Sequence, residues 1–272
     1  MLARLCLLLL LLLSLPAAAP LEPGLTERNF QPLFARYGLQ GSLLLYDEAA
    51  GSYTAYNPAR CRQGFIPAST FKIPNTLIAL ETGALPDTAQ VCKWDGIKRN
   101  FPQWNRDMTF ARALRVSCVP CYQQLARRVG VARYHEQLRR LGYPGMQVSA
   151  ATLDTFWLGG PSRITQFEQI GFLRRLQAEK LPVAVRHQRA VKQLLVLSRT
   201  PAYTLRGKTG WGFRSATNRD IGWFVGWLTR HDGRTIFFAL NAEPRPGQVA
   251  DGRFQNGRRA IVEQALKEMG WM

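Results

Sequence analysis

A serine and a lysine three residues apart, Ser69 and Lys72, are of types and at a spacing that can do chemistry. On a helix, positions i and i+3 share a face, so the amine can hydrogen-bond the hydroxyl and help it lose its proton. Pro74 is tolerated mainly in the first turn of a helix, so a helix is expected to begin around Ser69. The hydroxyl then lies at the positive end of the helix dipole. Alone the pair is weak evidence, because roughly one S-x-x-K occurs by chance in a chain of this length.

A second group of polar residues, Lys208, Thr209 and Gly210, follows a strand-like segment, residues 203–207. On an edge strand these residues would present a fixed cation and a hydroxyl beside the nucleophile. The glycine would let a flat substrate lie against the backbone. By the same arithmetic, a K-T-G occurs by chance in about one chain in twenty, so this motif is more specific than the first.

A second serine, Ser117, precedes Cys118, Val119 and Pro120, and that proline is well suited to begin a helix. Ser117 could pass a proton to a leaving group. The alternative is that Ser117 is simply the N-cap of the helix, which is the more common role of a lone serine at such a position.

The order of predicted elements is a strand pair, a helical block, a strand triplet and a final helix. Strands are predicted over residues 41–46, 51–56, 203–207, 221–228 and 235–241, and helices over 29–37, 75–82, 109–114, 121–129, 134–141, 166–178, 186–197 and 261–269. This order predicts an α+β fold, in which both ends of the chain build a central antiparallel sheet flanked by helices. We expect one domain, residues 20–272, with an α/β lobe (about 20–66 and 203–272) and an inserted helical lobe (about 67–202).

The first twenty residues have the order of a secretory signal: Arg4, an apolar run, then Ala17–Ala19. Cleavage is expected after Ala19, leaving a soluble, exported chain. The alternative, a membrane anchor, needs about 20 apolar residues, and this run is shorter. Residues 1–19 are therefore predicted to be a signal peptide, with no stable membrane insertion after cleavage.

The 36 Lys and Arg against 18 Asp and Glu give a net charge of +18. Such a charge attracts nucleic acids, acidic membrane surfaces or anionic substrates. The basic residues are dispersed, without the run of five to eight that is typical of a nucleic-acid-binding tail. We therefore expect an arginine-rich surface and no nucleic-acid partner, while a cationic binding module stays as an alternative.

Export would place Cys61, Cys92, Cys118 and Cys121 in a compartment that permits disulfides. Cys118 and Cys121 form a C-x-x-C, which is found in redox pairs and in half of a zinc site. A second C-x-x-C is absent from the sequence, and the three histidines are isolated. The pattern therefore favours a structural disulfide or buried thiols, and no metal site is predicted.

S-x-x-K, a second serine and K-T-G in this order are the signature of penicillin-binding proteins and serine β-lactamases. One branch is indicated by the wider context, in residues 67–75, 93–96, 156–158, 207–211 and 223–227. These segments resemble the class D β-lactamases, the oxacillinase family. The resemblance implies the serine β-lactamase and transpeptidase fold, and periplasmic hydrolysis of β-lactam antibiotics, which confers resistance.

The resemblance also implies a mechanism. In that family the lysine matching Lys72 reacts with CO₂ to give N6-carboxylysine, a carbamate that is the general base for acylation and deacylation, and no other cofactor is needed. The chemistry needs a neutral amine, which burial favours. Val119 would keep the pocket apolar, and the indole N–H of Trp157 would hold the carbamate. A separate glutamate base is not needed, and Glu168 is interpreted as a helix surface charge.

Further roles follow from the same residue-by-residue comparison. Ser117 would pass a proton to the lactam nitrogen, while Lys208, Thr209 and Arg258 would meet the substrate carboxylate. The backbone N–H groups of Ser69 and Trp211 would form the oxyanion hole.

Two departures leave alternatives open: residues 143–145, and the pair Cys118 and Cys121 flanking Ser117, where a disulfide or oxidation of Cys118 could distort the pocket. The family usually has Tyr-Gly-Asn where this chain has Tyr143, Pro144 and Gly145. A β-lactam sensor or penicillin-binding protein, which is acylated but releases the product slowly, also has the S-x-x-K and K-T-G motifs. The sequence carries no prediction of oligomeric state or of the range of β-lactams accepted.

Overall fold

A seven-stranded sheet organises the part of the chain that the computed structural model describes, residues 24–214 and 219–272, with side chains for all of these except 213, 214 and 219. Its strands lie in the order β1-β3-β2-β9-β8-β7-β6. The strands are β1 (Leu25–Glu27), β2 (Leu39–Asp47), β3 (Ser52–Tyr56), β4 (Val91–Cys92), β5 (Met108–Thr109), β6 (Val196–Arg199), β7 (Tyr203–Arg214), β8 (Arg219–Arg230) and β9 (Thr235–Pro244). β4 and β5 form a separate two-stranded sheet.

Both ends of the chain build the large sheet, as the sequence predicts. β2 and β3 form the predicted hairpin, and β9 pairs antiparallel with β2, with Leu43 opposite Leu240. β7, β8 and β9 are an antiparallel meander. The short β1 runs parallel to β3, so the sheet is mixed at that edge.

Helices cover both faces of the sheet, so its central strands are buried on both sides. The helices are α1 (Gln31–Arg36), α2 (Pro58–Cys61), α3 (Lys72–Glu81), α4 (Phe110–Arg115), α5 (Val119–Val129), α6 (Val131–Arg140), α7 (Gln166–Gln177), α8 (Val185–Leu194) and α9 (Gly252–Glu268). Leu43 and Leu45 of β2 point to the face covered by α1 and α9, while Leu44 points to the face covered by α3, α5 and α7. This alternation is the two-residue period of a strand.

The predicted helix over residues 186–197 is too long. α8 ends at Leu194, and Val196–Arg199 form β6, which pairs with Thr204–Arg206 of β7. Tertiary pairing outweighs the helical pattern there, because the sheet edge offers backbone partners that an isolated segment lacks. As a result β7 is not the edge strand that the sequence analysis expected. Lys208 nevertheless lies beyond the paired part of β6.

The described residues contain no helix that is long and apolar enough to cross a bilayer. The predicted signal peptide lies outside the described residues. The proposed division into two lobes stays a prediction.

Candidate active site

Ser69 lies in a 3₁₀ turn, Ala68–Phe71, that leads directly into α3 at Lys72. The Lys72 amine donates a hydrogen bond to Ser69 Oγ at 3.1 Å. Ala68 holds a left-handed backbone, with φ of +50°. Such a conformation costs about 1–3 kcal/mol and is found where the fold needs a particular placement. The 3₁₀ turn therefore places the hydroxyl against the amine.

Lys72 is buried completely, with 0% of its surface exposed. Burial lowers the pKa of its amine to about 7 from an ordinary 10.5, and the thiols of Cys118 and Cys121 oppose this by favouring the charged form. The amine also lies 4.9 Å from the ring centroid of Tyr122. A substantial fraction of Lys72 is therefore neutral near pH 7.

Trp157 is fully buried, and its indole N–H has no hydrogen-bond partner among the described residues. Its ring stacks on Phe71 at 5.8 Å and meets Phe156 edge-on at 5.0 Å. A buried donor without a partner costs about 1–3 kcal/mol. This unsatisfied N–H fits an acceptor group that the bare lysine does not supply.

Ser117 lies at the end of the turn before α5, also with a left-handed backbone, φ +53°. The N-cap of α5 is Cys118, whose sulfur accepts from the Cys121 N–H. The alternative role of Ser117 as that N-cap is therefore wrong. The hydroxyl of Ser117 instead accepts a hydrogen bond from the amine of Lys208.

Lys208 extends from β7, where it lies opposite Val225 of β8. Its amine also donates to the Thr209 carbonyl at 2.8 Å. Burial, reinforced by the charges of Lys72 and Arg258, lowers the pKa of Lys208 well below its ordinary value. Lys208 and Ser117 thus form a second amine–hydroxyl pair.

Arg258 projects from α9 to the same strand and is buried, with 6% exposed. One guanidinium nitrogen donates to the Gly210 carbonyl, and Nε donates to the Phe254 carbonyl at 3.1 Å. Burial lowers the pKa of Arg258 to about 10, which leaves it cationic at neutral pH. The guanidinium therefore provides a fixed positive charge beside K-T-G.

A cavity of about 400 Å³ joins these elements. Its lining includes Ser69, Ser117, Val119, Thr209, Gly210, Trp211 and Arg258, all singled out from the sequence. Lys72, Trp157 and Lys208 are not among its lining residues, and Lys72 and Lys208 reach it through their hydrogen bonds to Ser69 and Ser117.

The sequence analysis missed an aromatic wall of this cavity. Phe101 and Trp104 stack at 4.4 Å in the loop around the 3₁₀ turn Pro102–Trp104. The Trp104 indole donates to the Val116 carbonyl at 2.9 Å, which ties this loop to the Ser117 turn. Two aromatic residues in a polar loop were the only signal for this wall.

The sequence pattern indicates only a helix surface charge at Glu168. In the structure its carboxylate has a further role. Its carboxylate accepts from the Thr165 N–H at 2.7 Å and from the Thr165 hydroxyl at 2.9 Å, closing a capping box at the start of α7. Glu168 is absent from the lining of the Ser69 cavity.

The unusual Tyr143–Gly145 segment packs close to the nucleophile turn. Tyr143 is buried and meets Phe71 edge-on at 5.8 Å. Gly145 has φ of +73°, and a Cβ at this position would lie 2.0 Å from the Arg163 carbonyl oxygen. Only glycine fits at position 145 of this loop.

Comparisons with known proteins agree with this geometry. Residues 41–264 match the family model "Penicillin binding protein transpeptidase domain". β-Lactamase OXA-48 of Klebsiella pneumoniae is 38% identical, with 94% of this chain and 93% of that protein covered. β-Lactamase OXA-10 of Pseudomonas aeruginosa is 36% identical, with 84% and 85% covered.

Two crystal structures share the fold. The class D β-lactamase YbXI from Nostoc superposes with a TM-score of 0.83 at 40% identity, with 90% of this chain and 99% of that chain covered. FUS-1 (OXA-85) from Fusobacterium nucleatum superposes with a TM-score of 0.82 at 35% identity, with 89% and 98% covered. With the S-x-x-K pair, the second serine Ser117 and the K-T-G residues gathered around one cavity, these similarities show that the chain belongs to the class D, oxacillinase-type, serine β-lactamases.

Proposed function

We propose that this β-lactamase opens the lactam ring of penicillin-type antibiotics through an acyl-enzyme at Ser69, with N-carboxylated Lys72 as general base. The observation that carries the proposal is the buried Lys72 amine, 3.1 Å from Ser69 Oγ and with its pKa lowered to about 7 by burial. A neutral amine is the form that can react with CO₂. Resistance to such antibiotics follows from their hydrolysis.

The surroundings of Lys72 fit the carbamate. The unpartnered Trp157 N–H is a donor for a carbamate oxygen, and the Ser69 hydroxyl is a second. Carboxylated, Lys72 would supply an anionic oxygen as the base toward Ser69 and toward the hydrolytic water. Glu168 is the alternative candidate for a carboxylate base. Its carboxylate is engaged in the α7 capping box.

In acylation, Ser69 Oγ bonds to the lactam carbonyl carbon, the ring C–N bond breaks, and the nitrogen gains a proton. Ser117 would pass that proton to the nitrogen, and the hydrogen bond that its hydroxyl accepts from the Lys208 amine supports this role. In deacylation, water adds to the ester carbon and Ser69 leaves with its proton restored. The backbone N–H groups of Ser69 and Trp211 would stabilise the negative oxygen in both steps.

Substrate binding uses the cationic end of the cavity. Lys208, Thr209 and Arg258 would meet the carboxylate that penicillins carry, with Arg258 held in place by its bond to Gly210. Val119, Leu158 and the aromatic wall would contact the apolar parts of the drug. Cleavage after Ala19 and a periplasmic or secreted location complete the proposal.

Time-resolved mass spectrometry of the protein mixed with benzylpenicillin tests the function. We expect an adduct on the peptide that contains Ser69, followed by its loss as hydrolysed drug accumulates. A stable adduct without product would instead support the sensor or penicillin-binding protein. A ¹³C NMR spectrum recorded with [¹³C]bicarbonate tests the carbamate directly, and the Lys72→Met variant should lack the lysine carbamate signal.

A further inference from the structure

Cys118 and Cys121 form a thiol pair at the N-terminus of α5. Their sulfur atoms are hydrogen-bonded at 2.7 Å, and Cys118, the N-cap, accepts from the Cys121 N–H at 3.4 Å. Both are buried, with 1% and 3% exposed, and both are free thiols. A C-x-x-C at a helix N-terminus is the arrangement in which thiol–disulfide exchange is favoured.

The pair also lies near the base, because α5 packs against α3 and the ring centroid of Tyr122, the residue after Cys121, is 4.9 Å from the Lys72 amine. The ionised forms of both thiols stabilise the charged form of Lys72, and Lys72 in turn stabilises the Cys118 thiolate. The hydrogen bond between the thiols lowers the pKa of Cys118 and raises that of Cys121. The other groups facing the amine are Ser69, the Tyr122 ring and, through its charge, Lys208. Cys118 is thus the thiol of the pair whose ionised form is favoured, by its hydrogen bond to Cys121 and by the charge of Lys72.

We propose that Cys118 and Cys121 are a covalent modification site, closed to a disulfide during folding after export, and that this cross-link increases the fraction of Lys72 that is carboxylated. The second part rests on the proposed function. A thiolate beside Lys72 holds the amine as an ammonium, which cannot react with CO₂, and would repel the anionic carbamate. A disulfide has no ionisable group, so it removes both effects.

The oxidant is an aliphatic disulfide of the export compartment. The Cys118 thiolate attacks one sulfur of that disulfide and releases the first donor thiol. Cys121 then displaces the second donor thiol from the mixed disulfide, so two protein thiols and one donor disulfide become one protein disulfide and two donor thiols. Because both sulfurs are buried in the folded chain, the exchange takes place before folding is complete.

The test uses the mature chain refolded with glutathione disulfide or with dithiothreitol. Alkylation under denaturing conditions and peptide mass mapping should find Cys118 joined to Cys121 after oxidative refolding, with Cys61 and Cys92 alkylated. The lysine carbamate signal in ¹³C NMR is then titrated with [¹³C]bicarbonate. At pH 7 the oxidised protein should half-saturate at a bicarbonate concentration lower by about 1.5-fold or more, which is the change in neutral fraction when a Lys72 pKa of about 7 falls by half a unit.

Two variants provide controls. Cys118→Ala/Cys121→Ala should show the lower bicarbonate requirement under both refolding conditions, because the ionisable thiols are gone. Cys61→Ala, at a buried thiol apart from this pair, should keep the redox response.

Alkylation of Cys118 and Cys121 after oxidative refolding would overturn the cross-link. If the cross-link forms but the oxidised and reduced proteins give the same bicarbonate titration curve, the proposed effect of the cross-link on Lys72 is wrong. Absence of a carbamate signal in both states would overturn the general base of the proposed function and with it the coupling, while the cross-link is decided by the mass map alone.

Discussion

At the scale of single residues, the site consists of two amine–hydroxyl pairs, each next to a strained backbone. Ala68 precedes Ser69, and Ser117 itself is left-handed. The S-x-x-K spacing predicted the contact between Lys72 and Ser69, because helical geometry alone brings i and i+3 together. The strain at Ala68 and Ser117 could not be predicted, since neither residue type favours a positive φ.

Replacement of Lys72 by Met should abolish hydrolysis and stabilise the fold. Met fills a similar volume without the cost of burying an amine. The thermal midpoint should therefore rise by about 4–8 °C, since each kcal/mol of unfolding free energy raises it by about 2–4 °C. Between about pH 7 and 10.5 the unfolded chain holds a proton on Lys72 that the folded chain releases, so wild-type stability rises with pH. Calorimetry should therefore show a smaller rise in the thermal midpoint of Lys72→Met over the wild type at pH 9.5 than at pH 7.

Lys192 supplies the matched control. Its amine donates to Glu179 at 2.7 Å and to the Gln177 carbonyl at 2.9 Å. Lys192→Met should lower the midpoint and leave hydrolysis unchanged. A thermal midpoint of Lys72→Met below that of the wild type would show that other groups in the native protein compensate the cost of burying the Lys72 amine.

The pH dependence of turnover should follow Lys72. Because burial lowers the pKa of this amine to about 7, its neutral form is lost as pH falls below 7. At fixed dissolved CO₂, kcat should fall by close to tenfold per pH unit below about pH 6, and hold above pH 8. A profile that keeps rising to pH 10 would indicate an amine with its ordinary pKa.

Trp157→Phe should weaken CO₂ binding by about 10- to 150-fold, because a hydrogen bond to a charged group contributes about 1.5–3 kcal/mol. Trp223→Phe is the matched control: Trp223 is also fully buried, but its indole donates to the Ile66 carbonyl at 2.9 Å. The control should lose more stability and keep its bicarbonate requirement. If wild type and Trp157→Phe give the same bicarbonate titration curve, Trp157 does not hold the carbamate.

At the scale of elements, the sequence predicted most helical and extended segments, and the errors lie at their ends: α9 begins at Gly252, nine residues before the predicted start at 261, and the predicted helix 186–197 ends early, at Leu194. Val196, at the end of the predicted helix 186–197, instead pairs with Arg206 of β7. The loop with Phe101 and Trp104 also escaped prediction, because a loop has no periodicity and its position depends on the distant Val116 carbonyl. Long-range contacts of this kind are absent from local patterns.

The start of α7 separates two roles of Glu168. Thr165→Ala removes the hydroxyl that accepts from the Glu168 N–H at 3.1 Å and should cost about 1 kcal/mol in urea unfolding. Glu168→Gln keeps the capping box and should cost less. Both variants should turn over benzylpenicillin at the wild-type rate. An acyl-enzyme that accumulates in Glu168→Gln alone would make this carboxylate the deacylation base.

At the scale of the whole molecule, the sheet built from both chain ends packs α9 against β8 and β9, so Arg258 reaches Gly210 of the adjacent strand β7 across 48 positions of sequence. The net charge of +18 adds a field around the cavity that Arg258 lines. Composition showed the size of this charge, and only the fold shows that two buried basic side chains, Lys208 and Arg258, converge on the site.

This field should speed the capture of anionic substrates. Between about 0.01 and 0.1 M salt the screening length falls from about 30 to about 10 Å. The kcat/KM for benzylpenicillin, a monoanion, should therefore fall by about threefold or more, while that for ampicillin, a zwitterion, changes less. Bicarbonate is kept saturating, and two sodium salts with different anions separate screening from competition at Arg258. If kcat/KM falls equally with salt for benzylpenicillin and ampicillin, the positive charge does not act in substrate capture. The next measurement would then be the salt dependence of DNA affinity.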